Sequence, residues 1–371
     1  MVGPEQAAPR ICIVGPLPPP SGGMANQCEQ LVRLLGRDGI KVELVRNNAP
    51  VRPAWVGRVP MLRALFRLVP YALSLWRAAG RSQVMHIFAN SGWAWHLFAA
   101  PALLAARLRG TAVIVNYRGG YADSFLASAP GHVLRSLQRA TLHVTPSPFL
   151  QRVFAKHGLQ AEVVPNIIDL TRFEPVPPRD FGSAPRIVVA RNLEPIYDIA
   201  TAIQALLPVR ECFAGATLTV AGSGPELQRL QALVTKLGLN GAVSFTGRVE
   251  NAAMPQLYAM ADCVVNPSTV DNMPISLLEA FASGLPVVST DAGGIPDMLA
   301  HDVSGLLVPV GDAQAMGREV CRVLQDRALA TRLAAAGRTE AEKYAWPCVK
   351  AQWLSAYRRA AAAQANQAAT A

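Results

Sequence analysis

The chain has 371 residues, of which 51% are hydrophobic and 16% are charged, so it is long enough for two domains with sizeable cores. Its formal net charge of +10 predicts an anionic partner, namely a nucleotide, a membrane surface or a nucleic acid. A nucleic acid ranks last and is not predicted, because the sequence lacks the arginine and lysine runs of nucleic-acid-binding modules.

The cysteine spacing and the first apolar run indicate where in the cell the protein is located. No Cys-x-x-Cys or Cys/His ligand spacing occurs, so reduced thiols are predicted rather than disulfides or a metal site. Residues 11–14 form a run of strand length rather than a signal peptide, and no run approaches the ~20 apolar residues of a membrane span. These features predict a cytoplasmic protein, with a peripheral position on the inner face of the cell membrane left open.

The first half of the chain alternates strand-length apolar runs with helical stretches, which predicts stacked parallel α/β units. The predicted strands are residues 10–15, 41–46, 84–89, 111–116, 142–145 and 161–164, and the predicted helices are residues 26–35 and 91–107. Gly22 and Gly23 lie between the first strand and the first helix, where backbone amides can closely approach a phosphate or a sugar. A flexible turn explains this pair equally well.

Residues 51–81 have an unusual composition, with six arginines among aromatic and aliphatic residues and no acidic residue. A basic, acid-free amphipathic stretch is typical of an element that lies on an anionic membrane surface. The alternative is a pair of helices that face the core and expose an arginine face to solvent.

Two further features precede the second half. Arg118 follows the strand at 111–116 and is followed by two glycines, which suits contact with a phosphate or an oxyanion; a turn with a surface arginine is the alternative. Residues 174–182 are rich in proline and lack periodicity, so they are predicted to link two domains.

The second half repeats the alternation, with a helix predicted at 199–207 and strands at 186–190, 216–221, 243–246, 263–265 and 286–290. Its most informative part is 261–298: a strand, a polar loop with Asp271, a helix that starts near Pro274 and includes Glu279, a second strand and a Gly-Gly turn. In open α/β sheets ligands bind outside the carboxyl ends of the strands, and a helix N-terminus there attracts phosphate. Both acids are therefore predicted to face one ligand.

This part of the chain resembles the retaining, family-4-type glycosyltransferases of GT-B fold. In residues 271–297 two acids enclose seven residues, and Gly-x-Pro-Val-Val and Gly-Gly-x-Pro-Asp runs follow. The supporting motifs, in family order, are Gly22-Gly23 and residues 165–169, 172–173, 190–193, 222–225, 245–248 and 305–309. The resemblance extends over most of the chain.

The resemblance implies an α/β protein with two Rossmann-like domains whose parallel sheets face a central cleft. Residues 1–180 would form the acceptor-side domain, to which a C-terminal helix at 346–371 returns, and residues 181–345 would bind the nucleotide-sugar donor. The implied activity is a hexosyltransferase reaction with retention, from a UDP- or GDP-sugar to a saccharide acceptor. The basic segment 51–81 favours an acceptor that is lipid-linked or a surface polysaccharide.

Two other classes of function remain as alternatives: a nucleotide-sugar epimerase or phosphorylase on the same fold, and a non-catalytic glycosyltransferase-like partner subunit. The sequence leaves the sugar, the base, the acceptor, the linkage and the oligomeric state open.

The resemblance also assigns roles to matching residues. Glu279 would accept hydrogen bonds from the donor ribose, Asp271 would contact hydroxyls of the transferred sugar, and Arg191 would neutralise the departing diphosphate. From the first domain, Gly22 and Gly23 would contact the donor. From the second domain, Gly222 would contact it, and the backbone of Arg248 and Val249 would contact the base. The amides at the helix start would face the sugar and the diphosphate; they belong to Asn272, Met273, Pro274 and Ile275.

Three positions depart from the family pattern. Asp271 replaces the usual glutamate, and its shorter reach bears on the identity of the sugar. Tyr197 replaces a phosphate-binding lysine; it carries no charge but can donate one hydrogen bond, and it is predicted to contact the donor. Arg118 replaces a histidine and joins Asp271 and Arg191 as a predicted catalytic residue; Arg118 or another arginine is expected to supply the missing charge. No Asp-x-Asp pair is available for a divalent cation, so neither a metal nor a cofactor is predicted, in line with the family's metal independence.

Overall fold

The computed structural model describes residues 9–20, 22–50, 60–175, 177, 180 and 182–370. The chain forms two compact units: unit 1 is Met1–Ile167 with Val349–Ala371, and unit 2 is Ile168–Cys348. Residues 51–59 of the basic segment and residues 176, 178, 179 and 181 of the predicted linker lie outside the described residues.

Within the described residues, a six-stranded parallel sheet forms the centre of unit 1. Its strands are β1 (Ile11–Gly15), β2 (Val42–Arg46), β3 (Val84–Ala89), β4 (Ala112–Tyr117), β5 (Leu142–Thr145) and β6 (Glu162–Val163), in the spatial order β2-β1-β3-β4-β5-β6. β1, β3 and β4 are buried along their whole length, as expected for continuous apolar runs in a sheet that is covered on both faces. The strand order reverses between β1 and β3, so ligands are expected beyond the carboxyl ends of these strands.

The helices of unit 1 follow these strands. In the described part of residues 9–167 they are α1 (Gly23–Arg37), α2 (Pro60–Arg81), α3 (Ala100–Leu108), α4 (Ala122–Ala127), α5 (Gly131–Gln138) and α6 (Pro148–Lys156), and a π-helical turn, Trp95–Ala99, leads into α3. Residues 60–81 of the basic segment thus form one helix, so the pair of helices is not found for this part of the segment.

Unit 2 has the same construction in its described part, around a second six-stranded parallel sheet. Its strands are β7 (Arg186–Ala190), β8 (Thr217–Ala221), β9 (Val243–Gly247), β10 (Cys263–Asn266), β11 (Val287–Thr290) and β12 (Leu306–Val308), in the order β12-β11-β10-β7-β8-β9. Its helices are α7 (Ile199–Cys212), α8 (Leu227–Lys236), α9 (Met254–Ala259), α10 (Ile275–Ala282), α11 (Ala313–Gln325) and α12 (Arg327–Glu342). The order reverses between β7 and β10. Two parallel α/β units confirm the predicted fold class.

Two segments connect the units along the chain. The first passes from unit 1 to unit 2 between Ile167 and Ile168, so the described residues of the predicted linker at 174–182 lie within unit 2. Ile168 pairs with Ala345 in an isolated parallel bridge. The last helix, α13 (Trp346–Thr370), begins in unit 2 and belongs to unit 1 from Val349 onward. There it buries Trp353 and Tyr357 completely, and the ring of His86 in β3 stacks on Trp353 at 4.6 Å between centroids. The core of unit 1 therefore includes α13.

Candidate active site

Two predicted catalytic residues lie at the point of unit 2 where the strand order reverses. Arg191 directly follows β7, and Asp271 lies in the loop after β10, the neighbouring strand. Arg191 Nη2 donates a hydrogen bond to Asp271 Oδ2, and the two side chains are only 12% and 13% exposed. A mostly buried ion pair therefore occupies the crevice in which the sheet topology predicts a ligand.

The ion pair has further polar neighbours, and the Arg191 Nε–H group has no acceptor among the described residues. Burial raises the pKa of Asp271, while Arg191, the Asn272 N–H at 2.9 Å and the Ser268 hydroxyl at 3.4 Å act to lower it. Arg191 Nε is buried and has no hydrogen-bond partner among the described residues. A buried N–H without an acceptor costs free energy, so this group favours the approach of an anionic oxygen.

Tyr197, the residue found in place of the expected lysine, supports Arg191. The guanidinium carbon of Arg191 lies 4.1 Å from the centroid of the Tyr197 ring, a cation–π contact. The turn that carries Tyr197, Pro195–Tyr197, is attached to the Asp271 loop because the Ile196 carbonyl accepts hydrogen bonds from Thr269 N and Oγ1, at 2.9 and 3.0 Å. Tyr197 thus holds the Arg191 guanidinium in place but carries no charge of its own.

Glu279 lies on α10 and is 7% exposed. Its Oε2 accepts a hydrogen bond from Tyr258 OH at 3.1 Å, and Tyr258 OH also lies 3.2 Å from the Ser276 carbonyl oxygen. Burial raises the pKa of Glu279 to about 7, although the Tyr258 hydrogen bond and the charge of Arg172 lower it. The carboxyl group therefore changes its ionisation near neutral pH.

The segment between the two acids is only partly available for ligand contacts. The Asn272 N–H donates to Asp271, and Pro274, the N-cap of α10, has no N–H to donate. The prediction that every amide of this segment faces sugar and diphosphate is therefore wrong at Pro274. Ile275 opens the helix, where the first N–H groups lack intrahelical acceptors. The buried Ser276 Oγ also has no hydrogen-bond partner in the described part of the chain.

A glycine turn holds the Asp271 loop in place. Gly293 has a φ of +59°, and a Cβ added there would lie 2.2 Å from the Asp271 carbonyl oxygen. The Gly294 N–H donates to the same oxygen at 2.7 Å. The Gly-Gly motif is therefore required by a left-handed backbone and by close contact with the loop of the predicted catalytic acid.

Gly293→Ala is expected to lower the free energy of unfolding by about 3 kcal/mol, from left-handed strain of about 1–2 kcal/mol and overpacking against Asp271. Gly311→Ala is the matched control, because Gly311 has a φ of +77° and a Cβ added there would meet no described atom within 4 Å. Urea unfolding of both variants measures the difference. Equal losses would show that the contact with Asp271 is unimportant.

The predicted donor-binding residues in the loops after β8 and β9 differ in exposure. Arg248 is exposed after β9, and Val249 packs partly on the core that contains α9 and α10. Arg172 hydrogen-bonds the carbonyl and side-chain oxygens of Asn251, which fixes the end of this loop. Gly222 is buried, and a Cβ there would lie 1.9 Å from the Arg191 carbonyl oxygen. Gly222 therefore lets the loop after β8 pack against Arg191.

Gly22, Gly23 and Arg118 lie in unit 1. Gly22 is the N-cap of α1, Gly23 is its first residue, and a Cβ at Gly22 would meet no described atom within 4 Å. Gln27 of α1 exchanges two hydrogen bonds with the backbone of Ile167, at 2.8 and 2.7 Å. These bonds attach the start of α1 to the segment that contacts Arg118.

The Arg118 guanidinium is held by amide side chains. It donates to Asn116 Oδ1 at 3.2 Å and to Asn166 Oδ1, and it lies over the Phe88 ring at 5.0 Å. Burial lowers the pKa of Arg118 to about 10, so the group remains cationic at neutral pH. Asn116 in turn contacts His86 Nε2 at 2.9 Å, and His86 Nδ1 contacts Tyr357 OH at 2.8 Å. The amides orient this charge without cancelling it.

Sequence reasoning missed Tyr258, Ser268 and Ser276. Ser268 lies three residues before Asp271, so its place in the loop was a usable signal. Tyr258 lies on another helix, 21 residues before Glu279, and nothing in the local pattern connects the two.

Among the described residues, no group of three or more His, Cys, Asp or Glu side chains could hold a metal ion. No helix within the described ranges is long and apolar enough to span a bilayer.

Comparison with known proteins gives two family matches. A family model described as Glycosyltransferase Family 4 matches residues 21–172, and one described as Glycosyl transferases group 1 matches residues 176–340. The first covers most of unit 1, and the second covers most of unit 2.

Similar proteins include two mycobacterial mannosyltransferases. A GDP-mannose-dependent alpha-(1-6)-phosphatidylinositol monomannoside mannosyltransferase of Mycobacterium tuberculosis is 32% identical over 282 residues, 70% of this chain and 71% of that protein. A phosphatidyl-myo-inositol mannosyltransferase of Mycobacterium leprae is 26% identical over 360 residues, 91% of this chain and 92% of that protein. Among solved structures, Anabaena Alr3699/HepE in complex with UDP and glucose has a TM-score of 0.73 at 18% identity, covering 94% of this chain and 99% of that chain.

Proposed function

Because the chain is a glycosyltransferase of GT-B fold that belongs to glycosyltransferase family 4 (glycosyl transferases group 1), we propose that it transfers a sugar, with retention, from a UDP- or GDP-sugar to a lipid-linked or surface-polysaccharide acceptor. The observation that carries this proposal is the arrangement in unit 2 of Arg191, Asp271 and Glu279 beyond the carboxyl ends of β7 and β10. The charge of Arg191 suits the diphosphate of a nucleotide-sugar, the short acid Asp271 suits its sugar, and the buried acid Glu279 suits its ribose.

Each side chain has a defined task in the proposed reaction. Glu279, as a carboxylate, accepts hydrogen bonds from the ribose hydroxyls, and Asp271 orients the transferred sugar through its hydroxyls. Arg191 donates to the diphosphate through Nε, which no described residue occupies, while Nη2 holds Asp271. The first N–H groups of α10 add positive potential at the phosphate.

The bond that breaks joins the anomeric carbon to the distal phosphate oxygen, and the bond that forms joins that carbon to an acceptor hydroxyl oxygen. The hydroxyl proton leaves with the nucleoside diphosphate, so the reaction balances without an external reductant or oxidant. Positive charge grows on the sugar and negative charge on the phosphate, and preorganised donors such as Arg191 stabilise the latter.

We further propose that arginine side chains fulfil the role that a divalent cation plays in other transferases. Arg191 in unit 2 and Arg118 in unit 1 are the candidates, and Arg118 remains protonated although burial lowers its pKa to about 10. Turnover is then expected to be unchanged by an excess of EDTA.

GDP-mannose is the first donor to test, because the similar M. tuberculosis protein is named as dependent on it. A thermal-shift screen should include UDP-glucose and UDP-galactose, since a donor at 100 times its Kd stabilises the fold by about 2.7 kcal/mol. The stabilising donor is then incubated with a bacterial lipid extract, and release of nucleoside diphosphate and of glycosylated lipid is followed.

Product that depends on acceptor and keeps the anomeric configuration by NMR is the expected result. Donor isomerisation without acceptor would instead indicate an epimerase. Failure of every donor to bind or react would contradict the proposal.

A further inference from the structure

The net charge of the protein is confined to one stretch. Between Glu43 and Asp123 the sequence contains ten arginines and neither an acidic residue nor a lysine, so residues 44–122 carry a formal charge of +10, equal to that of the whole chain. All 25 acidic residues lie outside this stretch, where the remaining lysines and arginines balance them. The described helices of this stretch are α2 and α3.

α2 exposes an apolar stripe on the side that faces away from the core. Phe66, Val69, Leu73 and Trp76 are 43%, 47%, 51% and 44% exposed. Their spacing of three and four residues places them on one helix face. The buried residues of the helix, with Tyr71 and Leu75 at the centre, lie on the opposite face. α2 is therefore apolar on both faces, and only one of them is covered by unit 1.

α3 and the turn before it continue this surface. Leu97, Leu104 and Leu108 are 37%, 56% and 64% exposed at helical spacing, and Trp93 is 78% exposed.

α2 and α3 lie side by side. Tyr71 OH donates to the Phe98 carbonyl at 2.9 Å, and Thr111 Oγ1 donates to the Ala79 carbonyl at 2.6 Å. Because both helices bury their inner residues in the same core, their outer faces point to the same side of unit 1.

We propose that this outer surface docks in the plane of an anionic lipid bilayer. The α2–α3 face consists of eight exposed apolar residues: Phe66, Val69, Leu73, Trp76, Trp93, Leu97, Leu104 and Leu108. This inference rests on the proposed function, in which the acceptor is lipid-linked. It names the surface that would bring unit 1 to a substrate in the membrane, and this surface includes α3 as well as α2, the described part of the basic segment 51–81.

Charge and side-chain chemistry favour a lipid surface over a protein partner. Arg77 and Arg107 are exposed on α2 and α3, and Arg109 lies over the exposed Trp76 ring at 5.0 Å from its centroid. Arginine can keep its head among lipid phosphates while its stem covers apolar surface, and tryptophan is favoured at the level of lipid headgroups. A face with both features and no acid matches the interfacial helices that bind anionic membranes.

The apolar contribution is tested by co-sedimentation with vesicles of phosphatidylcholine mixed equally with phosphatidylglycerol. Leu73→Ser/Leu104→Ser is expected to lower partitioning about tenfold or more, because two side chains no longer enter the bilayer. Val303→Ser/Val310→Ser is the matched control, since these residues of unit 2 are 56% and 43% exposed, and its partitioning should equal that of the unaltered protein.

The basic contribution is tested by Arg77→Gln/Arg107→Gln, with Arg318→Gln/Arg327→Gln as an exposed control of the same charge change in unit 2. About fivefold per arginine, hence roughly 25-fold, should be lost with the mixed vesicles. With pure phosphatidylcholine the loss should be small. High salt should weaken binding of the unaltered protein to the mixed vesicles.

Two results with the serine variant would overturn the proposal. One is equal vesicle binding by the serine variant and the unaltered protein; the other is a dimer in solution that the serine variant dissociates, which would make the face a contact between copies. Vesicle binding is measured without donor, whereas the proposed function is tested with acceptor in detergent. A protein that binds vesicles but transfers no sugar would refute only the proposed function. A protein that transfers sugar in detergent but does not bind vesicles would refute only the docking of the α2–α3 face.

Discussion

Replacement of Glu279 with glutamine is expected to weaken donor binding about 30-fold at pH 8, because hydrogen bonds to a charged group contribute about 1.5–3 kcal/mol. Glutamine preserves the volume of a side chain that is 7% exposed and keeps an acceptor for Tyr258. It removes the negative charge that the ribose hydroxyls would meet. Isothermal titration with the donor measures the loss.

The same residue is expected to make donor binding depend on pH. Burial raises the pKa of Glu279 from its ordinary value of 4.5 to about 7. Donor affinity should therefore rise as pH increases towards about 8, by at most tenfold per unit below pH 7, and then level off. The contribution of Glu279 to stability changes in the opposite direction. Between about pH 4.5 and 7 its folded carboxyl retains a proton that the unfolded one has lost, so this contribution to the free energy of unfolding falls as pH rises.

Tyr258→Phe provides the control for this profile. The Tyr258 hydrogen bond lowers the pKa of Glu279, so its removal should move the midpoint of the binding curve to higher pH while the carboxylate remains. The Glu279→Gln variant should show no step near pH 7. An unchanged affinity in that variant, or the same step in it, would refute the role of Glu279.

Removal of the Arg191 side chain is expected to lower kcat by about 100- to 1,000-fold, the usual effect of deleting a charge-stabilising donor. The alanine variant should also be less stable by about 3 kcal/mol, because Asp271 would remain buried without its partner. Arg191→Ala combined with Asp271→Asn should recover stability but not kcat. This difference separates catalysis from folding and is measured by steady-state kinetics and urea unfolding.

Tyr197 allows a graded test of the same charge. Tyr197→Phe keeps the ring beneath Arg191 and should leave kcat nearly unchanged, whereas Tyr197→Leu removes the cation–π contact and should cost about two- to fivefold. Equal losses in both variants would mean that the hydroxyl, and not the ring, supports the reaction.

The strands, and the placement of Asp271 in a loop and of Glu279 on a helix, could be predicted from the sequence because their signals are local. Residues 263–265 form a short apolar run that becomes β10, and Asp271 and Glu279 lie eight positions apart on one loop and one helix turn. A parallel sheet places the loops after its strands at one edge whatever their sequence. The sequence therefore indicates at which edge of the sheet the candidate site lies.

The contacts between side chains could not be predicted, because they join distant parts of the chain. Arg191 and Asp271 are 80 residues apart, and no local pattern indicates that they form an ion pair in preference to contacting separate parts of a ligand. Helix α7 shows another limit: the sequence predicts an end at residue 207, yet the helix continues through Pro208 to Cys212. Gly317 of α11 packs so closely there that a Cβ would lie 2.3 Å from the proline ring, so tertiary contact overrides the proline signal.

The path of α13 has a consequence for the order of folding during synthesis. Unit 2 is continuous in sequence, whereas unit 1 needs residues from Val349 onward that are translated after unit 2. Until Trp353 and Tyr357 leave the ribosome, one side of β3 and the polar ring of His86 lack their cover. The unit that is synthesised first is therefore completed last, and its unfinished core must persist while unit 2 is made.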